Sequence, residues 1–455
     1  MRVHFIAVGG SAMHNLAIAL KKKGYQVSGS DDVIFEPSKS RLAKYGILPE
    51  QQGWDPARID KDIDAVILGM HAREDNPELL EAQKLGLKIY SYPEYIYEQS
   101  KDKLRIVIGG SHGKTTITSM ILHVLNYYGR NFDYLVGAQL EGFETMVKIT
   151  QDAPIIVIEG DEYLASPIDR RPKFHLYQAN VAVLSGIAWD HINVFPTFDN
   201  YLEQFQVFLQ TIKPGGTIIY CEDDPVLKDM VCHSDLELHK KPYSVPSYKI
   251  DKGVTKLLNF GQETPLRIFG THNLLNLNAA WLVLQELGFS YEEFLNAIKT
   301  FKGAARRLEL LGKNDDTAIY KDFAHSPSKL KATIQAVKNQ FPDRELVAVI
   351  ELHTFSSLNK NFLEEYAGTM EEADDAIVFI DKTIFLQKRL EPYEESFVKK
   401  AFADENVKFF NNVEILERFL SYLNYKGKNL LLMSSGNFGG MDLKKLAELA
   451  LNSNK

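Results

Sequence analysis

The stretch "IVIGGSHGKTTITSM", residues 106–120, joins an apolar strand-like run to a glycine turn and opens a helix on Lys114-Thr115. The common phosphate-loop pattern asks for a glycine five positions before Gly113, where Ile108 stands, and Gly110 lies only three before. The context still suits phosphate: Gly110 and Gly113 let backbone approach an anion, and the helix start aims free N–H groups at it. Lys114 is placed to reach terminal phosphates and the Thr115 hydroxyl to meet Mg²⁺. The alternative is a plain strand-to-helix turn whose Lys and Thr are solvated. Strand, loop and helix in this order are the unit of an open α/β sheet, so the stretch sets the fold class.

Outward from it the same grammar repeats. "RVHFIAV" (2–8) is a buried strand, and "GGSAMHNLAIALKKKG" (9–24) is a glycine turn opening a helix that closes at Gly24. "YQVSGSD" (25–31) is a second strand ending in acid, the outline of a nucleotide-binding βαβ start. "DAVILGM" and "LKIYS" supply later strands, so residues 1–103 read as one α/β domain.

The second domain, 104–303, starts at the quoted stretch, whose helix carries Ile117, Met120, Ile121, Val124, Leu125 and Tyr128 at three- and four-residue steps. "PIIVIEGDE" (154–162) and "NVAVLSGIAWDH" (180–191) are buried strands ending in charged groups, where ligands bind in such sheets. "KPGGTIIYC" enters another strand, residues 236–268 read as an irregular flank, and "LLNLNAAWLVLQELG" as a helix. The third domain, 304–455, alternates strand and helix again, with Ser326 as N-cap and Pro327 at the first helical position. The expected architecture is three consecutive α/β domains.

Composition bounds the function. A chain of 455 residues exceeds a single core, and its 45% hydrophobic and 25% charged residues are ordinary for a globular protein. A formal charge of −8 gives no general attraction to nucleic acid or anionic membrane, so a phosphorylated ligand must be gripped locally. No signal-peptide pattern and no apolar run of membrane-spanning length occurs, and a cytoplasmic protein is expected. The two cysteines, Cys221 and Cys232, form no paired metal motif.

"GSHGKTT" resembles the G-T-H-G-K-T-T loop of the Mur ligases, which add amino acids or peptides to UDP-N-acetylmuramate using ATP. The resemblance extends along the chain in order. It implies ATP contacts at Gly110, Ser111, His112, Gly113, Lys114, Thr115 and Thr116, the serine standing where threonine is usual. "VIEGDEY" and "WDHINVF" are similar to the family's E-A-D-E and D-H segments, which implies Mg²⁺ ligands at Thr115, Glu159 and His191. "GTHNLLNLNAA" implies adenosine contacts at His272, Asn273 and Asn276. "GAARRLELLG" and "YKDFAHSPSKL" imply Arg307 and Asp322 at the nucleotide, with Lys321 where an acid is usual and without a role. Lys114, His191, Arg307 and Asp322 are the implied catalytic set.

"AVGGSAM" resembles the family's uridine-diphosphate loop, with Ala12 in place of a third glycine. Together with "GSDD" and "REDNPEL" it implies a UDP-sugar site of Gly9, Gly10, Ser11, Ala12, Met13, Ser30, Asp31, His71 and Arg73. Relatives that use a lysine carbamate carry that lysine after the D-H histidine. Residues 192–212 contain no lysine, and Phe205 stands at the position.

The implied reaction activates the muramoyl carboxylate as an acyl phosphate, which an amine then displaces. "GMHAREDNP", "KDFAHSPS" and "SSGNFGG" resemble the branch that attaches a recycled L-Ala-γ-D-Glu-meso-diaminopimelate peptide more than the branch that adds L-alanine. That implies His325, His353, Ser357 and Asn359 at the amine substrate, although "VIELHTFSSLNKNF" has His353 or Thr354 where the branch carries arginine. The expected partners are UDP-N-acetylmuramate and a small amino acid or peptide, with L-alanine the alternative acceptor. A non-ligating ATP-binding regulator and a dehydrogenase built on the first glycine loop are the rival classes.

Overall fold

Buried β-branched runs ending in glycine turns recur along the chain, and each becomes a parallel strand in the computed structural model, which describes residues 1–189, 194–259, 261–304, 307–388 and 390–452. The first sheet has four parallel strands in the order Gln26–Ser30, Arg2–Ile6, Ala65–Leu68, Ile89–Ser91. The order reverses beside Arg2–Ile6, so the loop after that strand lies at a topological switch point. The helix Ser11–Lys22 follows the loop directly, with Gly10 at its N-cap and no side chain capping it.

The second sheet has seven strands in the order His239–Tyr243, Thr217–Cys221, Val181–Leu184, Leu104–Gly109, Ile155–Glu159, Asp133–Leu135, Val147–Lys148. Leu104–Gly109 is central, and Ile106, Val107 and Ile108 are fully buried. The following helix, Lys114–Tyr127, buries Ile117, Met120, Ile121, Val124 and Leu125 as their spacing requires, and Thr116, Thr118 and Leu122 as well. It is therefore covered on more than one face, as a helix of a large core is.

Residues 236–268 depart from the expected irregular flank. His239–Tyr243 pairs in parallel at the edge of the second sheet, and Tyr248–Asp251, Val254–Asn259 and Gln262–Pro265 form a separate antiparallel sheet. Its first hairpin turns at Lys252 and Gly253, with φ of 50° and 72°, the left-handed pair of a type I′ turn. Polar strands that bury one face lack the apolar run that marks a parallel strand, which is why composition hid them.

The last sheet runs Glu309–Lys313, Ala318–Asp322, Lys428–Met433, Glu345–Glu351, Asp375–Phe379, Lys408–Phe410, antiparallel only at its first pair. Alternate residues feed separate cores. Tyr320, Leu346, Ala348, Ile350, Val378 and Leu431 face one side with Leu330, Ile334 and Val337 of the helix Pro327–Gln340. Ile319, Val347, Val349, Ile377 and Leu432 face the other with Leu416, Leu420, Leu446 and Ala450. Ser326 is the N-cap of Pro327–Gln340, as expected, but its hydroxyl makes no capping bond.

The chain groups into two compact units, one of Met1–Trp189, Val194–Ser244 and Ala279–Phe294, the other of Val245–Asn278 and Leu295 onward. Among the described residues no helix is long and apolar enough to cross a membrane. Both cysteines are free thiols.

Candidate active site

The loop after Leu104–Gly109 takes its shape from two glycines. Gly110 has φ 117° and Gly113 φ 77°, conformations that L side chains avoid. A Cβ on Gly110 would stand 2.3 Å from Ser185 Oγ and 2.8 Å from Ser185 N, so the site also demands glycine for space. Ser111 N donates to Gly186 O at 3.0 Å, and the Ser185 hydroxyl donates to the His112 carbonyl. Lys114 folds back over the turn, its Nζ donating to Gly110 O at 2.7 Å and Glu162 Oε2 at 2.6 Å. Burial opposes the charge on Lys114, but the carboxylates of Glu162 and Asp161 outweigh it and raise the pKa. The lysine therefore stays charged. Thr116 is buried behind the loop.

Thr115 and Glu159, 44 positions apart, meet: Thr115 Oγ1 donates to Glu159 Oε1 at 2.8 Å, and Gly137 N donates to Oε2 at 2.8 Å. Burial pushes the Glu159 carboxyl up, against the two hydrogen bonds and the Lys114 charge. A hydroxyl and a carboxylate beside the glycine loop are hard oxygen donors of the kind Mg²⁺ takes when phosphates and water complete its shell, so these residues fit that ion. His191 lies outside the described residues. Among the described residues no cluster of three or more His, Cys, Asp or Glu could hold a metal without such outside ligands. Phe205, at the carbamate position, is fully buried against Phe174 and Tyr201.

The second unit brings together its own group. Asp322, at the end of its strand, accepts Leu308 N at 2.7 Å and Ala324 N at 2.7 Å, which fixes the backbone next to Arg307. The Arg307 guanidinium stacks over Phe323, 5.0 Å from its centroid. Burial holds the His272 imidazole below its ordinary value, with Asp322 opposing and Arg307 adding to the effect. Asn273 and Asn276 are buried in the first turns of Thr271–Glu286, and Asn273 Nδ2 donates to Phe269 O at 2.9 Å.

In the first sheet, Gly9 N donates to Asp31 Oδ2 at 2.7 Å, joining the glycine loop to the end of the neighbouring strand. Burial pushes the Asp31 carboxyl up to about 6, against the Gly9 bond. Gly10, Ala12 and Met13 line the helix start, and the Ser11 hydroxyl lies 3.7 Å from Met146 Sδ. Ser30 donates to Glu78, a fully buried carboxylate that also takes Asp55 N at 2.9 Å and meets His4 at 3.3 Å. His71 is exposed and adds to the lowering of the Asp32 carboxyl, an effect led by the Asp31 hydrogen bond. Arg73 is exposed and pairs with Asp75.

At the expected amine site the side chains have structural tasks. Ser357 is buried and bonded to Thr354 Oγ1 at 2.9 Å, and Asn359 caps Lys360–Leu363 through Asn361 N. His325 Nδ1 bonds Phe323 O at 2.8 Å, and His353 receives Lys388 Nζ on its carbonyl at 3.0 Å. Beside Asn359 a cavity of about 660 Å³ opens, with Phe355, Lys360, Lys388, Glu391 and Tyr393 in its wall.

Three residues escaped the reading of the sequence. Glu162 was signalled, as the third acid of "EGDE"; Tyr201, in a helix core, carried no signal. Glu78 stands in "DNPEL". Glu351 accepts Phe438 N at 2.9 Å and the Ser434 hydroxyl, tying "VIEL" to "SSGNFGG".

Comparison with known proteins gives three family matches: "Mur ligase family, catalytic domain" over residues 2–103, "Mur ligase middle domain" over 108–284, and "Mur ligase, glutamate ligase domain" over 306–436. The chain is 31% identical over 389 residues to the UDP-N-acetylmuramate–L-alanine ligase of Desulforamulus reducens, covering 82% of this chain and 81% of that one. It is 27% identical to the UDP-N-acetylmuramate–L-alanyl-γ-D-glutamyl-meso-2,6-diaminoheptandioate ligase of Escherichia coli, covering 99% and 98%. The fold matches that of the UDP-N-acetylmuramate–alanine ligase of Thermotoga maritima with a TM-score of 0.69 at 20% identity over 100% of both chains.

Proposed function

We propose, because this chain belongs to the Mur ligase family of ATP-dependent carbon–nitrogen ligases of peptidoglycan synthesis, that it joins the carboxylate of UDP-N-acetylmuramate to the α-amine of L-alanine in the cytoplasm. The observation that carries the reading is the convergence of Lys114, Thr115 and Glu159 at a glycine loop that admits no side chain at Gly110. The acceptor follows the relative of higher identity, which moves the reading from the expected peptide to free L-alanine.

Amide formation from a carboxylate is uphill in water, and phosphorylation by ATP supplies the activation. Phosphoryl transfer needs alignment and charge neutralisation more than covalent help from protein. Lys114, held protonated by its carboxylate neighbours, supplies positive charge to the terminal phosphate oxygens. Thr115 and Glu159 would hold Mg²⁺, which would supply further neutralisation of the phosphate charge. The amides of the loop and helix start hold the phosphates in place. His272, Asn273, Asn276, Arg307 and Asp322 are assigned to the adenosine and its phosphates, and the Gly9–Met13 loop with Ser30, Asp31, His71 and Arg73 to the uridine diphosphate. The carboxylate oxygen attacks the γ-phosphorus and ADP leaves; the amine then attacks the acyl carbon, phosphate departs, and the amine loses a proton.

A second reading, ligation of the recycled L-Ala-γ-D-Glu-meso-diaminopimelate peptide, is favoured by the cavity at Asn359, which is larger than free alanine needs. Both acceptors present the same L-alanyl amine, so the chemistry above is common to them. Incubation with ATP, Mg²⁺, UDP-N-acetylmuramate and a panel of amines, read by mass spectrometry, separates them. An adduct with L-alanine is the expected product; an adduct with the peptide alone would replace the first reading by the second.

A further inference from the structure

The cation of the phosphate loop is already bound. Lys114 Nζ is 2.6 Å from Glu162 Oε2, and the two side chains are 15% and 1% exposed, so this is an enclosed charge pair rather than a surface contact. The other oxygen, Glu162 Oε1, receives the Tyr201 hydroxyl at 3.4 Å. Tyr201 Oη lies 2.9 Å from Ser111 Oγ in the loop itself, and Ser111 Oγ accepts Ala188 N at 2.8 Å. One proton order satisfies the series: Ala188 N–H to Ser111, Ser111 O–H to Tyr201, Tyr201 O–H to Glu162, and Lys114 N–H to the same carboxylate. In this order the donors of Ser111, Tyr201 and Lys114 run toward Glu162.

The mechanism uses Lys114 at the phosphates and gives Glu162 no task. A lysine cannot give its full charge to a phosphate while a carboxylate holds it at hydrogen-bond distance, and an anion this close repels an incoming triphosphate. We propose that Glu162 is a positioning residue that latches Lys114 in the nucleotide-free protein, and that nucleotide binding transfers the lysine from this carboxylate to the phosphate oxygens. The inference rests on the reading of residues 106–120 as the ATP loop. After turnover the carboxylate competes with the β-phosphate of ADP for Lys114, and the latch favours product release. Ser111 and Tyr201 set the orientation of Glu162, which links loop position to lysine position.

The test is calorimetric titration of the full chain with ADP and Mg²⁺, alongside steady-state kinetics. Glu162→Gln keeps the shape but removes the charge, and should bind MgADP about tenfold more tightly, the ratio for one competing charge-assisted hydrogen bond. Its KM for ATP and its kcat should fall together as ADP leaves more slowly. Tyr201→Phe should move affinity the same way by a smaller factor, and decides alone if the glutamine variant does not fold. A merely structural role predicts weaker binding in both. Lys114→Ala separates the two layers: if it binds MgADP less well while Glu162→Gln and Tyr201→Phe do not bind it more tightly, the latch is wrong and the loop reading stands. Unchanged binding by Lys114→Ala overturns the loop reading and the latch with it.

Discussion

Replacing Gly110 with alanine tests the phosphate loop at its most constrained point. With φ at 117° the alanine is in a region that costs of order 1–3 kcal/mol for an L residue. Its Cβ must also clear Ser185 Oγ at 2.3 Å and Ser185 N at 2.8 Å; the second is backbone, so the loop or its neighbouring strand has to move. Overpacking of this kind adds roughly 1–3 kcal/mol. The moved carbonyl is the one that receives Lys114 Nζ at 2.7 Å, so the lysine is displaced as well. Gly129→Ala is the matched control. Gly129 lies just past the C-terminus of the same helix with φ 61° and nothing within 4 Å of an added Cβ, and should cost only about 1 kcal/mol. The assay is unfolding with and without MgATP. At a free concentration a hundredfold above Kd, ligand adds about 2.7 kcal/mol to wild type and to Gly129→Ala, and nothing to Gly110→Ala. Equal ligand stabilisation of the two variants would refute the assignment of this loop to phosphate.

Three further outcomes follow from the geometry. Thr115→Val keeps the volume but removes the donor to Glu159 Oε1, and should weaken Mg²⁺ dependence of activity by about 10–100-fold with little change in melting temperature. Asp322→Asn can accept only one of the two amides that the carboxylate accepts, and should cost about 1–3 kcal/mol in urea unfolding while raising KM for ATP through the displaced Arg307 segment. Asp31, with its carboxyl pushed up to about 6, favours the folded state only while protonated. That contribution is complete below the unfolded value near 4 and is lost as pH rises through 6, so wild type should lose up to about 3 kcal/mol across this window and Asp31→Asn should not. Denaturant unfolding at several pH values checks the sign; an identical slope in the two proteins removes Asp31 as the cause.

The apolar parallel strands such as "RIVIG" and "VAVIE" were legible because both of their faces are buried. The antiparallel sheet at 248–265 was not: strands such as Gln262–Pro265 are polar, and only the Lys252-Gly253 turn marks them. Of the expected site residues, Thr115 and Glu159 each stand in a chemically distinctive motif, and the two are in direct contact. Glu78, Glu162 and Tyr201 were missed for a shared reason. Each acts on a backbone amide or on another side chain, and partners as far as 90 positions away are set by strand order, which a linear reading does not contain.

The acceptor region shows where motif transfer loses force. Ser357 and Asn359 match the expected wording, yet Ser357 is buried and turned to Thr354, and Asn359 spends its carbonyl on a helix cap. Small polar residues near a substrate loop serve the backbone first, because an unsatisfied amide in a buried turn costs more than a substrate contact gains. The groups left with reach are the long ones. Lys360 and Lys388 line the cavity with charge, and neither was singled out by the motif. Lys360→Ala therefore separates the acceptor readings: an amino acid held mainly at its α-amine should ligate as before, whereas a peptide with charged side groups in that cavity should show a KM raised about tenfold for loss of one charge-assisted contact, at unchanged kcat. Unaltered peptide KM in this variant would place the peptide outside the cavity.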